Sequence, residues 1–341
     1  MEEQTNMENA EEQKVTKNEP LAEAMEFEPI RDLKNAIHNE LSKVIVGQTE
    51  LIDLLIVALL CNGHVLLEGV PGVAKTLSAR MLAKSLSTNF SRIQFTPDLM
   101  PSDVIGTSVY NTKNGEFNFK EGPIFSNFVL VDEINRAPAK TQAALFEVME
   151  EQQVTIDGNT YKMGFPFIVM ATQNPVEQEG TYALPEAQLD RFFFKLIVDY
   201  PDLNEEIAIL KRFKNDFTGK LSQKDVKAVV KPKNLKKAME MVEDVVIKDE
   251  LIDYIAKIIQ DTRISQDLFL GASPRASLAI MKASKAMAAL NGRNYVIPDD
   301  IRSVTFHVLN HRIILTPERE MEGVSSREVI ENIINKTEVP R

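Results

Sequence analysis

A chain of 341 residues with 44% hydrophobic and 26% charged content has room for two ordinary domains and a substantial buried core. One cysteine, Cys61, excludes an intramolecular disulfide and a zinc–thiolate cluster and suits a reducing cytoplasm, and the four histidines at 38, 64, 307 and 311 are too scattered for a histidine-rich metal site. Of the net charge of −11, residues 1–29 with nine Glu and two Lys carry −7, so the remainder is only weakly acidic and lacks the clustered Lys and Arg of a sequence-independent nucleic-acid binder.

The opening MEEQTNMENAEEQKVTKNEP has neither a basic end nor an apolar stretch, which argues against a signal peptide, and residues 1–28 read as an acidic, disordered tail. IRDLKNAIHNELSKVIVGQ then has helical apolar spacing that breaks at Gly47, and TELIDLLIVALLCNG reads as a largely buried helix ended by Asn62-Gly63. The longest apolar run, LIVALLC, is too short to span a bilayer, so no membrane span is expected. HVLLE is a short apolar strand running into GVPGVAKT, and TLSARMLAKSLS has helical period. Further apolar strands are expected at RIQFT (92–96), NFVLV (127–131), PFIVM (166–170) and FFFKLIV (192–198), with a helix over AKTQAALFEVMEE (139–151). Such strands alternating with helices imply a parallel sheet covered on both faces. Two inserted hairpins are signalled by Asn114-Gly115 in GTSVYNTKNGEFNFK and by Asp157-Gly158 in QQVTIDGNTYKM. From Tyr200-Pro201 onward the pattern is helical, with NLKKAMEMVEDVV, DELIDYIAKIIQDTR, SPRASLAIMKASKAMAAL and PDDIRSVTFHVLNHRI as the clearest elements.

Chemistry concentrates at the first strand–loop–helix junction. Consecutive backbone N–H groups at a helix N-terminus surround a phosphate, and a lysine adds charge. Gly69, Pro71, Gly72, Val73, Ala74, Lys75, Thr76 and Leu77 form the expected phosphate-binding set, with Lys75 on the outer phosphates and Thr76 holding Mg²⁺ through its hydroxyl. Ala74 stands where the usual pattern has glycine. A helical conformation there suits alanine, whereas a left-handed one costs roughly 1–2 kcal/mol. NFVLVDE delivers Asp132 and Glu133 at the end of a buried strand, where α/β sheets gather ligands. Asp132 is expected to hold the Mg²⁺ and Glu133 to act as general base toward water.

At these motifs the chain resembles the AAA+ ATPases. FIVMATQNP puts Asn174 where that family orients the lytic water, and LPEAQLDRFFF puts Arg191 where it carries an arginine finger that reaches into a neighbouring subunit. GASPRA matches the sensor-2 signature through Arg275, and Val46-Gly47-Gln48 resembles the segment lining the adenine pocket. The hairpins, together with GVPGVAKT, FTPDLMPSDVIGT, GPIF, VDEINRAPAKTQAALFEVMEE and ATQNPVEQEGTYALPEAQLDRF, are similar to the MoxR branch over roughly residues 30–315, and Ala74 is a variant common there. The resemblance implies an α/β fold with a parallel-sheet AAA+ P-loop core (αβα) over 29–200 and a C-terminal helical lid domain over 201–341. It further implies a homo-oligomeric, hexameric ring that uses ATP and Mg²⁺ for chaperone-like remodelling, often with a partner carrying a von Willebrand factor A domain. Whether Arg275 acts within its own subunit or across the interface stays open. Two other function classes remain: a nucleic-acid-associated motor, which the balanced charges of both hairpins disfavour, and a nucleotide-gated scaffold with little hydrolysis.

Overall fold

The structure, a computed structural model, describes residues 27–340 apart from 71, 114, 176–180 and 216–219. The expected acidic tail up to residue 26, Pro71 of the loop and Asn114 of the first hairpin turn lie outside the described residues. Two helices, α1 (Glu28–Leu41) and α2 (Thr49–Leu60), precede β1 (Val65–Gly69), α3 (Lys75–Ser85) and β2 (Phe90–Gln94). A short α4 (Pro101–Ile105) enters the hairpin of β3 (Gly106–Asn111) and β4 (Glu116–Glu121). Next come β5 (Phe128–Asp132), a single 3-10 turn, α5 (Ala139–Glu151) and the second hairpin, β6 (Gln153–Ile156) with β7 (Asn159–Lys162). β8 (Ile168–Gln173), α6 (Glu186–Leu189) and β9 (Phe194–Val198) complete the sheet. The helical remainder contains α7 (Leu203–Asn215), α8 (Lys220–Asp225), α9 (Pro232–Glu243), α10 (Asp249–Ile264), β10 (Leu268–Leu270), α11 (Pro274–Leu290) and α12 (Pro298–Leu309). It ends with β11 (Ile314–Leu315), α13 (Pro317–Met321) and α14 (Ser326–Lys336).

The main sheet runs β2-β5-β8-β1-β9, and every pairing in it is parallel. The inner strands β1, β5 and β8 are buried on both faces, as their uninterrupted apolar runs require, whereas the edge strand β2 buries only Ile93. Val65, Leu67, Leu130, Met170 and Leu196 point into one hydrophobic cluster, while Leu66, Val129, Val131, Val169 and Ala171 point into the other. α4 and α5 cover the second face through Val104, Leu145 and Phe146. α1, α2 and α3 cover the first, and α11 packs on α1 and α2, so one continuous core reaches from the sheet to Ile334 in α14. The core is therefore αβα, as expected from the sequence, with helices following it.

Some elements are absent from the sequence reading. β10 and β11 pair antiparallel inside a region expected to be helical, Leu268 opposite Leu315. α14 starts at a capping box in which Ser325 Oγ accepts from Glu328 N at 3.2 Å. That S-x-x-E pattern is visible in the sequence and is the signal that could have located the helix.

Between the layers, His64 is buried; Nδ1 accepts from Val169 N at 3.0 Å and Nε2 faces Met149 O at 3.0 Å. Burial pushes its pKa down from 6.5 to about 4. The unfolded chain therefore binds the extra proton between those values, so the stability owed to neutral His64 is fully present above 6.5 and is lost as pH falls toward 4. The expected loss is about 1.4 kcal/mol per pH unit in that window. Urea denaturation from pH 7 to 5 measures it, and a flat stability over that range would contradict a neutral buried imidazole.

Candidate active site

β1 carries the chain directly into the loop. Gly69 passes against β9, where a Cβ would lie 2.4 Å from Val198 O, so no larger residue fits. Gly72 takes φ +90°, which only glycine adopts without strain. Ala74, as the residue preceding α3, sits at φ 60° and ψ 17°, so the loop uses the costly left-handed conformation. Its carbonyl still accepts from Ser78 N at 2.9 Å, which ties the strained residue to the helix it opens. Ala74→Gly is accordingly expected to stabilise the protein by about 0.5–1 kcal/mol, the left-handed penalty less the entropy of a freer unfolded chain. Chemical denaturation would show it, and a destabilised variant would contradict the strain.

Lys75 Nζ donates to Gly69 O and, at 3.4 Å, to Gln173 O, spanning the ends of β1 and β8. Burial lowers the Lys75 pKa, and the carboxylates of Asp132, Glu68 and Glu133 oppose that shift. Asp132, buried at the end of β5, accepts from Arg92 Nε at 2.6 Å, Thr172 Oγ1 at 3.1 Å and Thr76 Oγ1 at 3.4 Å. Glu133 leaves the strand at φ 57°, and its N–H donates to Thr172 Oγ1 at 3.0 Å. Its carboxylate accepts from Gln94 Nε2 at 2.7 Å and pairs with Arg136 Nε at 3.2 Å. Gly72 through Leu77, Asp132, Glu133 and Asn174 thus line one cleft of about 360 Å³ at the C-terminal edge of the sheet. Arg92, Gln94 and Thr172 join them, and none of these three was picked out from the sequence.

A neighbouring cavity of about 260 Å³ lies beside Val198, which also packs on Gly69. Gln48 lines it and donates from Nε2 to Val73 O at 3.4 Å, linking this cavity to the phosphate loop. Gly47, at φ 66°, packs against Glu205 at the rim. His307 of α12 and Arg327 of α14 close the far side, and no sequence signal singled them out. Gln48 Oε1 and His307 Nδ1 are buried here with no partner among the described residues. Burial lowers the His307 pKa, although Glu50 pulls the other way from 3.7 Å. Gln48 Oε1 can only accept, and a neutral His307 with Nε2 toward Glu50 presents Nδ1 as a second acceptor, so a ligand edge that donates suits both atoms.

Arg191 and Arg275 sit elsewhere. Arg191 Nη2 pairs with Glu150 Oε2 at 2.8 Å, and Arg275 Nη2 with Glu150 Oε1 at 2.9 Å, so one carboxylate holds both guanidinium groups. Arg191 Nη1 also donates to Phe146 O at 2.6 Å. Arg191 precedes β9, and Glu150 ends the helix that returns from the C-terminal end of β5. Both therefore lie at the N-terminal edge of the sheet, about 15 Å or more from the cleft by strand length. Asp190 accepts from Ser273 Oγ at 3.2 Å and from the buried Arg312 Nε at 2.7 Å, fastening the Arg191 segment to the helix that carries Arg275.

The donor set at the cleft fits a small hard cation shared with phosphate: one carboxylate, one hydroxyl and a ring of loop N–H groups. Among the described residues, no group of three or more His, Cys, Asp or Glu gathers elsewhere as a metal site. Among the same residues, no helix is long and apolar enough to cross a membrane.

Comparison with known proteins gives a consistent result. Residues 64–194 match the ATPase family associated with various cellular activities (AAA), and residues 260–333 match the AAA lid domain. The chain is 47% identical to the protein YeaC of Bacillus subtilis, over 92% of this chain and 97% of that one. It is 44% identical to the chaperone MoxR1 of Mycobacterium tuberculosis, over 92% of this chain and 83% of the relative. A crystal structure from Cytophaga hutchinsonii superposes with a TM-score of 0.83 at 45% identity, covering 92% of this chain and 98% of that chain.

Proposed function

The chain belongs to the MoxR family of AAA+ ATPases, and on that premise we propose that it hydrolyses ATP at a site shared between two copies and couples turnover to remodelling or maturation of client proteins. The observation that carries the shared site is the meeting of Arg191 and Arg275 on Glu150, at the edge of the sheet opposite the nucleotide cleft. Neither side chain reaches its own cleft. On this reading a head-to-tail neighbour supplies both, and the placement of Arg275 on Glu150 supports action across the interface.

Within one protomer, the loop from Gly69 to Leu77 grips the phosphates through backbone N–H groups, and Lys75 neutralises the outer ones. Thr76 and Asp132 would hold Mg²⁺, which when bound supplies charge neutralisation across the outer phosphates. Glu133, oriented by Gln94 and Arg136, accepts the proton of the attacking water, and Asn174 at the end of β8 orients that water. Gln48 and His307 offer an acceptor and a ring nitrogen to the edge of the base. The two arginines of the neighbour stabilise the charge that develops on the transferred phosphoryl group.

Other parts of the proposal concern the assembly. We assign a hexameric ring in the cytoplasm, a von Willebrand factor A domain partner, and a division between core and lid at Tyr200-Pro201. The hairpins form one client-facing unit. Ser108 Oγ donates to Asp157 Oδ2 at 2.5 Å, and the Phe119 and Tyr161 rings lie 4.4 Å apart, so the two hairpins are joined. Phe117 and Tyr110 remain exposed near the tip of the first. Lys113 and Lys120 there are balanced by Glu116 and Glu121, which fits an apolar protein segment better than a polyanion.

Arg275→Ala tests the assignment across the interface. Turnover of the assembled protein is expected to fall about 10²–10³-fold, while ATP affinity of the unassembled protomer stays unchanged. A large loss of affinity in isolated protomers, measured by calorimetry, would place Arg275 in its own cleft and overturn the assignment.

A further inference from the structure

Among the described residues, two apolar faces lie open, and each lies beside one half of the proposed shared site. The first is on α7. Leu203, Ile207 and Leu210 recur at the spacing of one helix face, and Leu203 and Leu210 are 76% and 64% exposed. α7 leaves the C-terminal end of β9, and the segment leading into it, Tyr200-Pro201, lines the cavity beside the phosphate loop. This apolar face therefore starts at the rim of the nucleotide site.

The second face is built from β10 and α13, joined by the bond from Arg319 Nε to Asp267 Oδ1 at 2.8 Å. Phe269 is 76% exposed and Met321 82% exposed. Three residues after β10 comes Ser273, bonded to Asp190, and then Arg275 on Glu150. This face therefore adjoins the arginine edge. Isolated apolar side chains at a surface need no explanation, but two extended faces flanking complementary half-sites do.

Their charges match as well. α7 carries the exposed Lys211 and Lys214 beside its apolar stripe, and α13 carries the exposed Glu318 and Glu320 beside Met321. α7 also exposes Glu206, so its strip is basic only at the end that carries Lys211 and Lys214, and that end and the acidic strip of α13 lie at separate edges of the chain. They can meet between copies arranged head to tail, the heterologous arrangement that closes a ring.

We propose that α7 of one copy docks on the β10–α13 face of the next copy, and that this contact seats the arginine edge of one protomer over the nucleotide cleft of its neighbour. The inference rests on the shared-site reading. It adds that the lid and the segment after β9, rather than the sheet edges alone, set the register of the ring.

Charge reversal tests it without disturbing the core. One variant carries Lys211→Glu with Lys214→Glu; the other carries Glu318→Lys with Glu320→Lys. Each alone sets like charges against each other in every interface, and assembly with ATP, read by light scattering at low salt, is expected to weaken at least about tenfold. Mixed in equal amounts, the two variants offer complementary faces at every alternating interface, and assembly should return. Either variant assembling alone like the parent chain overturns the proposed contact, and so does a mixture that stays dissociated. Calorimetric ATP binding by both variants separates these outcomes from failure of the nucleotide site. A parent chain that never assembles with ATP overturns the shared-site reading and this contact together.

Discussion

Glu133→Gln is expected to lower steady-state ATP hydrolysis by about 10²–10⁴-fold, the contribution of a positioned general base. The carboxylate is placed for that role. Glu133 takes a left-handed conformation at the end of β5, its N–H is anchored on Thr172, and its oxygen is fixed by Gln94 and Arg136. An amide of the same shape keeps a carbonyl oxygen for Gln94 but cannot take a proton from water. The phosphate loop is untouched, so ATP affinity should remain within a few-fold of the parent chain, and the variant should hold ATP in a long-lived assembled state. Phosphate-release kinetics paired with calorimetry measure both halves. Turnover close to that of the parent chain would remove Glu133 from the reaction.

Arg191→Ala should have an effect as large, for a different reason. A cation supplied across an interface to a transferring phosphoryl group contributes about 10³–10⁵ in rate. Arg191 has no route to its own cleft, since it is held at Glu150 and Phe146 O on the far edge of the sheet. Its loss should therefore leave ATP binding by a single protomer unchanged and stop turnover only in the assembly. Glu150 keeps Arg275 as partner, so its carboxylate is not left uncompensated. Reduced ATP affinity in dilute, unassembled protein would contradict the placement.

The parts of this site that lie along a single strand–loop–helix unit could be read in the sequence. β1, the loop and α3 are contiguous, and Asp132-Glu133 follow an apolar run whose end is unmistakable. What could not be read depends on which strands become neighbours. Arg92 and Gln94 reach the cleft because β2 pairs with β5 at the register that puts Gln94 opposite Asp132, and nothing in RIQFT announces that pairing. Thr172 reaches Asp132 through the pairing of β5 with β8 for the same reason. His307 and Arg327 arrive from helices more than 100 residues downstream, carried there by the shared core beneath α12 and α14. Glu150 is one of several acids ending α5, and only the fold shows that two arginines converge on it.

Backbone conformation was equally hidden. Ala74 was compatible with a helical or a left-handed geometry, and the structure takes the strained one. The β10–β11 ladder, of three and two residues, is too short for any apolar period to register, yet it builds the face beside the arginine edge. The positions of Arg191 and Arg275 show the same limit. Their motifs could be quoted from the sequence, but their distance from their own cleft follows from the direction of β9 for Arg191 and from the shared contact on Glu150 for Arg275.

The central claim is that one active site is assembled from two copies, and subunit mixing tests it most directly. Glu133→Gln protein retains the arginines, and Arg191→Ala protein retains the carboxylate, so each alone should be inactive. Mixed in equal amounts, about a quarter of head-to-tail interfaces pair an intact Glu133 with an intact Arg191. Recovery of ATP turnover toward that fraction is the predicted result; a mixture as inactive as its two components, while still assembling, would contradict it.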